Sequence, residues 1–299
     1  MDETFGDQVK RSLSGLSRKD VSFFAWLCAV RALPFLSVNG TFDHWKHKDR
    51  DKRQDYLLDV LRAIDTARII TQIDSRALIA AVNAYGNRFA DAAASATYAA
   101  ASAAYAHTYT DNTNAIQVAI RAAVHTSDAT DVTHICEIDL RSILLEDLEI
   151  IKSGNCNFRN DTTMYGEIWD NFQGALRDVG CEYWGDWYAK LFAKGFILDD
   201  NDREEIKLRL NTPSEIVKQG AAEVARYVLK LKVQKKVEDL NLFTHDTSFS
   251  EGFFGSKYLV SASEDSSVKI WARENGKLIR TKKCHTSSVY CVCFRTCIQ

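Results

Sequence analysis

Apolar residues recur every three or four positions along most of this chain, which is the spacing of one helix face. In residues 51–72, for example, apolar side chains fall at Leu57, Leu61 and Ile64. An aromatic stripe with the same spacing runs from Trp169 to Leu191 and predicts a single core-facing helix. The other predicted helices cover residues 21–36, 75–107, 115–126, 132–153, 203–210 and 214–236.

These helices predict a mainly α fold class. Only two prolines and 14 glycines occur among the 299 residues, and this scarcity also favours long helices. We expect residues 1–19 to be a flexible tail and residues 20–238 to form one α-helical domain.

The most apolar predicted helix lies near the N-terminus. Residues 21–38 have the sequence VSFFAWLCAVRALPFLSV, which is close to the shortest length that spans a bilayer. Arg31 and Pro34 interrupt it, and an uncompensated arginine in a bilayer is costly. We therefore expect a buried helix rather than a membrane anchor. The polar first 20 residues are not a signal peptide, so we expect a cytoplasmic chain with reduced thiols.

The pattern changes after Leu240, where apolar and polar residues begin to alternate as they do in strands. Strands are predicted at residues 258–263, 268–271, 277–281 and 289–294, with a turn at residues 264–266. Residues 239–299 are therefore expected to form a short antiparallel β segment after the helical domain.

The motifs of this segment are YLVSASEDSSVKIW from Tyr258 to Trp271 and GKLIRT from Gly276 to Thr281. Their order resembles a WD repeat, the unit of β-propellers. The resemblance implies one propeller blade plus the first strand of the next. In that family a Ser or Thr, an Asp, a Trp and a His form a hydrogen-bond network that fastens the blade. It implies a structural network of Ser263, Asp265, Trp271 and His245, with His285 serving the next blade.

The segment departs from the WD-repeat pattern at two positions and in its length. Thr244 replaces the usual glycine before His245, and Ala272 replaces the aspartate that usually follows the tryptophan. A propeller closes with four to eight blades, and a single blade leaves open edges. The resemblance therefore implies a truncated propeller, a remnant, or a blade that leans on the helical domain or on another chain. Self-association through open β edges is one consequence.

A second resemblance lies in the helical domain. The segments YWGDW at residues 183–187, PSEI at residues 213–216 and QGAAEV at residues 219–224 resemble a helical region of uncharacterised bacterial proteins. This resemblance implies no activity.

Motifs of enzymes are missing from the sequence. It contains no phosphate loop, dinucleotide-binding glycine motif, HExxH motif or nucleophile elbow. Cysteines in a C-terminal cluster could bind zinc, but their spacing does not match a structural zinc site; the cluster is Cys284, Cys291, Cys293 and Cys297 with His285. Four carboxylates near the aromatic stripe could line a pocket, but we expect solvated helix surface; they are Glu167, Asp170, Glu182 and Asp186. We predict no catalytic residue, cofactor or metal.

Charge does not indicate a nucleic-acid partner, because the net charge is −2 and acidic residues dilute the basic run at residues 44–53. The sequence favours a non-catalytic interaction or scaffold protein that binds a protein partner. One alternative is a helical enzyme or toxin-like effector domain with the WD-like segment as sensor or recruiting appendage. Another is a gene fragment with no folded β part.

Overall fold

The computed structural model describes residues 3–37, 40–46, 52–69, 91–108, 111–131, 138–155, 157–159, 162–239, 258–262, 267–272, 275 and 277–283. In these ranges the prediction of a mainly α fold is confirmed. The α-helices are α1 (Phe5–Leu13), α2 (Arg18–Ala32), α3 (Arg53–Ile69), α4 (Asp91–Thr108), α5 (Asn112–Asp131), α6 (Leu140–Ser153), α7 (Glu167–Asp178), α8 (Glu182–Ala193), α9 (Asp200–Leu210), α10 (Ser214–Val217) and α11 (Ala221–Asp239). Short 3-10 turns occur at Leu33–Leu36, Asp43–Trp45 and Thr162–Tyr165. The chain divides into two compact units, Met1–Val228 and Leu229–Gln299.

The N-terminal residues contain a packed helix where the sequence predicted a flexible tail. Thr4 caps α1, because its hydroxyl oxygen accepts a hydrogen bond from the amide of Asp7. Val9 and Leu13 lie on the same face of α1 and are fully buried. These two apolar side chains fix α1 to the core of the first unit.

Helix α2 lies in the core of the first unit, and 11 of its 15 residues are buried. Helices α3, α4, α5 and α6 pack against it. The alanine-rich α4 can approach closely, because Ala99, Ala100 and Ala103 are small and fully buried. The buried position of α2 explains the apolar run at residues 21–38. Among the described helices, none is long and apolar enough to cross a membrane.

The aromatic stripe at residues 169–191 forms two helices, where the sequence predicted one. Between α7 and α8, Gly180 has a φ of 69°. This left-handed conformation favours glycine and ends the helix. Both helices still direct aromatic residues into the core, where Phe172, Trp184 and Phe192 are fully buried.

The described residues of the second unit form a three-stranded antiparallel sheet in the order β1-β2-β3. The strands are β1 (Tyr258–Ala262), β2 (Ser267–Ala272) and β3 (Leu278–Lys283). Tyr258 pairs with Ala272 across the first hairpin, and Ser267 pairs with Lys283 across the second. The predicted strand at residues 289–294 lies outside the described residues.

Candidate functional site

A surface groove lies between the first half of α6 and the turn that leads into α7, with a volume of about 520 Å³. Ile138 and Ile143 line it on one side, and Met164 and Ile168 line it on the other. Ile143 and Ile168 are buried, whereas Ile138 and Met164 are partly exposed. The groove therefore has an apolar floor that solvent can reach.

The rim of the groove carries three carboxylates and one guanidinium, from Asp139, Glu146, Glu167 and Arg159, all of them exposed. Asp139 is also the N-cap of α6 and accepts a hydrogen bond of 3.1 Å from the amide of Ser142. Hydrogen bonds from the Ser142 side chain and amide lower the pKa of Asp139, which favours its ionised form. With three negative charges and one positive charge, the rim has a net charge of −2. We call this site the acidic groove.

Arg31 of α2 fixes the walls of the acidic groove from inside the core. Its Nε and Nη2 atoms donate to the Asp147 carboxylate of α6 at 2.5 and 2.7 Å. Nη2 also donates to the carbonyl oxygen of Arg159 at 3.1 Å, and the Tyr165 hydroxyl donates to the carbonyl oxygen of Arg31 at 3.0 Å. Burial acts to lower the pKa of Arg31, but Asp147 outweighs it and the pKa is raised. Helix α6, the segment at Arg159 and the turn at Tyr165 are thus all hydrogen-bonded to the buried Arg31.

A second buried ion pair lies between α3 and α9. The Nε and Nη2 atoms of Arg209 donate to the Asp65 carboxylate at 2.7 and 2.6 Å, and both residues are at most 1% exposed. The guanidinium carbon lies 4.1 Å from the ring centre of Trp187 and 4.8 Å from that of Trp184. Burial acts to lower the pKa of Arg209, but Asp65 outweighs it and the pKa is raised. This pair joins α3, α8 and α9 within the core.

A smaller cavity of about 370 Å³ lies between α3 and α10. It is lined by Asp55, Leu58, Asp59, Val217 and Lys218. Burial raises the pKa of Asp59 to about 7, with a further contribution from the Asp55 carboxylate one helical turn away. Asp59 therefore changes its protonation state near neutral pH.

The four carboxylates near the aromatic stripe do not form one site. Glu167 lies on the acidic groove, whereas Asp170, Glu182 and Asp186 do not line it. All four are exposed, as expected for solvated helix surface. Sequence reasoning missed the groove, because its floor consists of apolar residues that share no periodic pattern; the one local signal was the helix cap from Asp139 to Ser142.

The predicted C-terminal cysteine cluster and His285 lie outside the described residues. In the part of the chain that the structure describes, no three His, Cys, Asp or Glu side chains are grouped so that they could hold a metal ion.

Of the residues that the WD-repeat resemblance implied, Trp271 is the one within the described ranges. It is partly exposed in β2, where it pairs with Leu259 of β1. The other residues of the implied network, Ser263, Asp265, His245 and His285, lie outside the described residues.

Comparison with known proteins gives no relative for this chain. No family model matches it. No curated protein and no solved structure matches it either.

The assignment of residues 239–299 to the WD-repeat family is therefore wrong, and the resemblance of the helical region to bacterial proteins is not supported either. The physical reason lies in the motif itself. Alternating apolar and polar residues separated by turn residues are common to antiparallel hairpins of many folds. Such a short pattern does not by itself identify a propeller blade.

Proposed function

We propose that this protein is a non-catalytic protein-binding protein whose acidic groove holds a segment of a partner protein. The observation that carries the proposal is the combination of an apolar floor and an acidic rim in one groove of about 520 Å³. An apolar side chain of the partner would be removed from water on the floor, and a neighbouring Lys or Arg would meet the carboxylates. We therefore expect a partner segment in which apolar and basic residues adjoin.

The attachment of the groove to Arg31 supports this proposal. Binding costs less free energy when the site does not have to become ordered. Asp147, the carbonyl of Arg159 and the hydroxyl of Tyr165 are all hydrogen-bonded to Arg31 inside the core. The residues that form the groove are therefore held in position before a partner binds.

The two buried ion pairs have a structural role rather than a catalytic one. Asp147 and Asp65 each accept two hydrogen bonds from a buried arginine. Both carboxylates are therefore engaged in holding helices together, rather than pointing into a cavity where a substrate could reach them.

The test is selection from a random peptide display library on the immobilised full-length chain. We expect the enriched peptides to combine Leu, Ile or Met with Lys or Arg, and synthetic copies to bind in isothermal titration calorimetry. Met164→Lys adds a positive charge to the groove and should weaken their binding by about tenfold or more. The matched control is Ile197→Lys, at a 52% exposed position that does not line the groove, and it should leave binding unchanged.

Two results would overturn the proposal: no peptide binds, or the selected peptides bind Met164→Lys as tightly as the unmodified chain. A catalytic role would emerge instead if the chain turned over a substrate from a broad hydrolase panel and lost that turnover on Glu182→Gln or Asp186→Asn.

A further inference from the structure

Helix α11 belongs to the first unit up to Val228 and to the second unit from Leu229. Its buried residues follow one stripe, Ala221, Val224, Ala225 and Val228, each at most 3% exposed. The helix itself continues to Asp239. We call residues 229–234 the α11 extension, because they are the described side chains that follow the end of this stripe.

The α11 extension has the sequence LKLKVQ, which combines apolar and basic residues and contains no acidic one. Leu229 is 40% exposed. Leu229 and Val233 are four residues apart and share a helix face, and Lys230 and Lys232 flank that face. Both lysines are exposed. The extension therefore presents a narrow apolar strip with a positive charge on each side.

The acidic groove has the complementary composition. Its floor is apolar. Its rim includes Glu146 and Glu167 and has a net charge of −2. A leucine on the floor would bring the adjacent lysine to the carboxylates of the rim. This is the partner chemistry that the groove requires, and the chain itself carries it.

We infer that the acidic groove of one copy of this chain binds the α11 extension of a second copy. The inference rests on the groove being a protein-binding site. Each copy carries one groove and one extension, so two copies can exchange extensions about a twofold axis and form two identical contacts. Such a closed dimer leaves neither site unoccupied.

The experiment is sedimentation velocity of the full-length chain over a range of concentrations, at low and high salt. We expect a dimer whose dissociation constant rises with salt, because the contacts include opposite charges. Glu146→Lys and Lys230→Glu each reverse one charge in both contacts, and each variant alone should dimerise at least about tenfold more weakly.

An equimolar mixture of the two variants provides the decisive measurement. In the mixed dimer, the reversed groove of one variant meets the reversed extension of the other, and the second contact is the original one. We expect the mixture to recover the dimer, which also shows that both variants are folded. The matched control is Glu149→Lys, an exposed position on α6 that does not line the groove, and it should dimerise like the unmodified chain.

A chain that stays monomeric at all concentrations would overturn this inference, as would single variants that dimerise normally or a mixture that stays monomeric. The peptide display experiment distinguishes a failure of the dimer inference from a failure of the proposed function. If selected peptides bind the groove while the chain is monomeric, the groove is a protein-binding site whose occupant is another protein.

Discussion

Asp59 is a carboxyl group whose environment opposes its charge. It lies on α3 against a small cavity, and burial raises its pKa from 3.8 to about 7, with Asp55 adding to the shift and Arg62 opposing it. A raised pKa in the folded state means that the folded protein binds the proton more tightly than the unfolded chain. The resulting stabilisation is complete below about pH 4 and is lost as the pH rises through about 7.

We expect Asp59→Asn to remove this loss, because an amide stays neutral at every pH. Above pH 7 the variant should have a free energy of unfolding higher by on the order of 1 kcal/mol, a figure reduced by the partial exposure of the site. Urea denaturation over a series of pH values measures both the gain and the flatter pH dependence.

The exposed Asp186→Asn serves as the control for replacing an aspartate by asparagine on a helix. It should change the free energy of unfolding at neutral pH by less than about 0.5 kcal/mol, because substitutions at exposed helix positions have small effects. A variant Asp59→Asn that keeps the original pH dependence would show that Asp59 is not the titrating group.

At the scale of single elements, two glycines differ in what their backbone requires. Gly154 ends α6 with a φ of 70°, and its amide donates to the carbonyl oxygens of Ile150 and Ile151. Gly174 lies inside α7, and a Cβ atom placed there would meet nothing within 4 Å. The backbone conformation therefore favours glycine at position 154. The structure shows no reason for glycine at position 174.

Alanine at these two positions should have opposite effects. Gly154→Ala should lower the free energy of unfolding by about 1 kcal/mol, because alanine is strained at positive φ. Gly174→Ala should raise it by about 0.5–1 kcal/mol, because alanine has the higher helix propensity. Thermal denaturation followed by circular dichroism compares them, and a shift of both variants in the same direction would contradict these assignments.

At the scale of the molecule, two buried ion pairs connect distant parts of the chain. Arg31 and Asp147 are 116 residues apart, and Asp65 and Arg209 are 144 residues apart. Each pair joins helices that are far apart in the sequence of the first unit. The unit should therefore unfold as one cooperative body rather than helix by helix.

We expect Arg209→Met to lower the free energy of unfolding by about 3–5 kcal/mol, because Asp65 is left buried without its partner. Adding Asp65→Leu should recover much of this loss, because the uncompensated charge is then gone. Urea denaturation gives the energies, and hydrogen exchange shows whether protection falls in α2 as well as in α3 and α9. Loss of protection confined to α9 would contradict the cooperative unit.

The sequence by itself determined the helical character of the first unit and the burial of α2. Both depend on short-range patterns, namely apolar spacing and helix propensity, which the chain carries locally. It was less informative where one residue overrides a pattern. Gly180 divides the aromatic stripe into two helices. The cap at Thr4 and the burial of Val9 stabilise a helix in the segment that was expected to be a flexible tail.

Only the tertiary structure decided the acidic groove and the buried ion pairs. Arg31 interrupts an apolar run in the sequence, and nothing local shows that Asp147 is its partner. Glu167 was expected to be ordinary solvated surface, and the structure places it in the lining of the same groove as Glu146. The strand pattern at residues 258–283 predicted a family that no comparison supports. Periodicity specifies which face of an element is apolar, whereas a site depends on which elements the fold brings together.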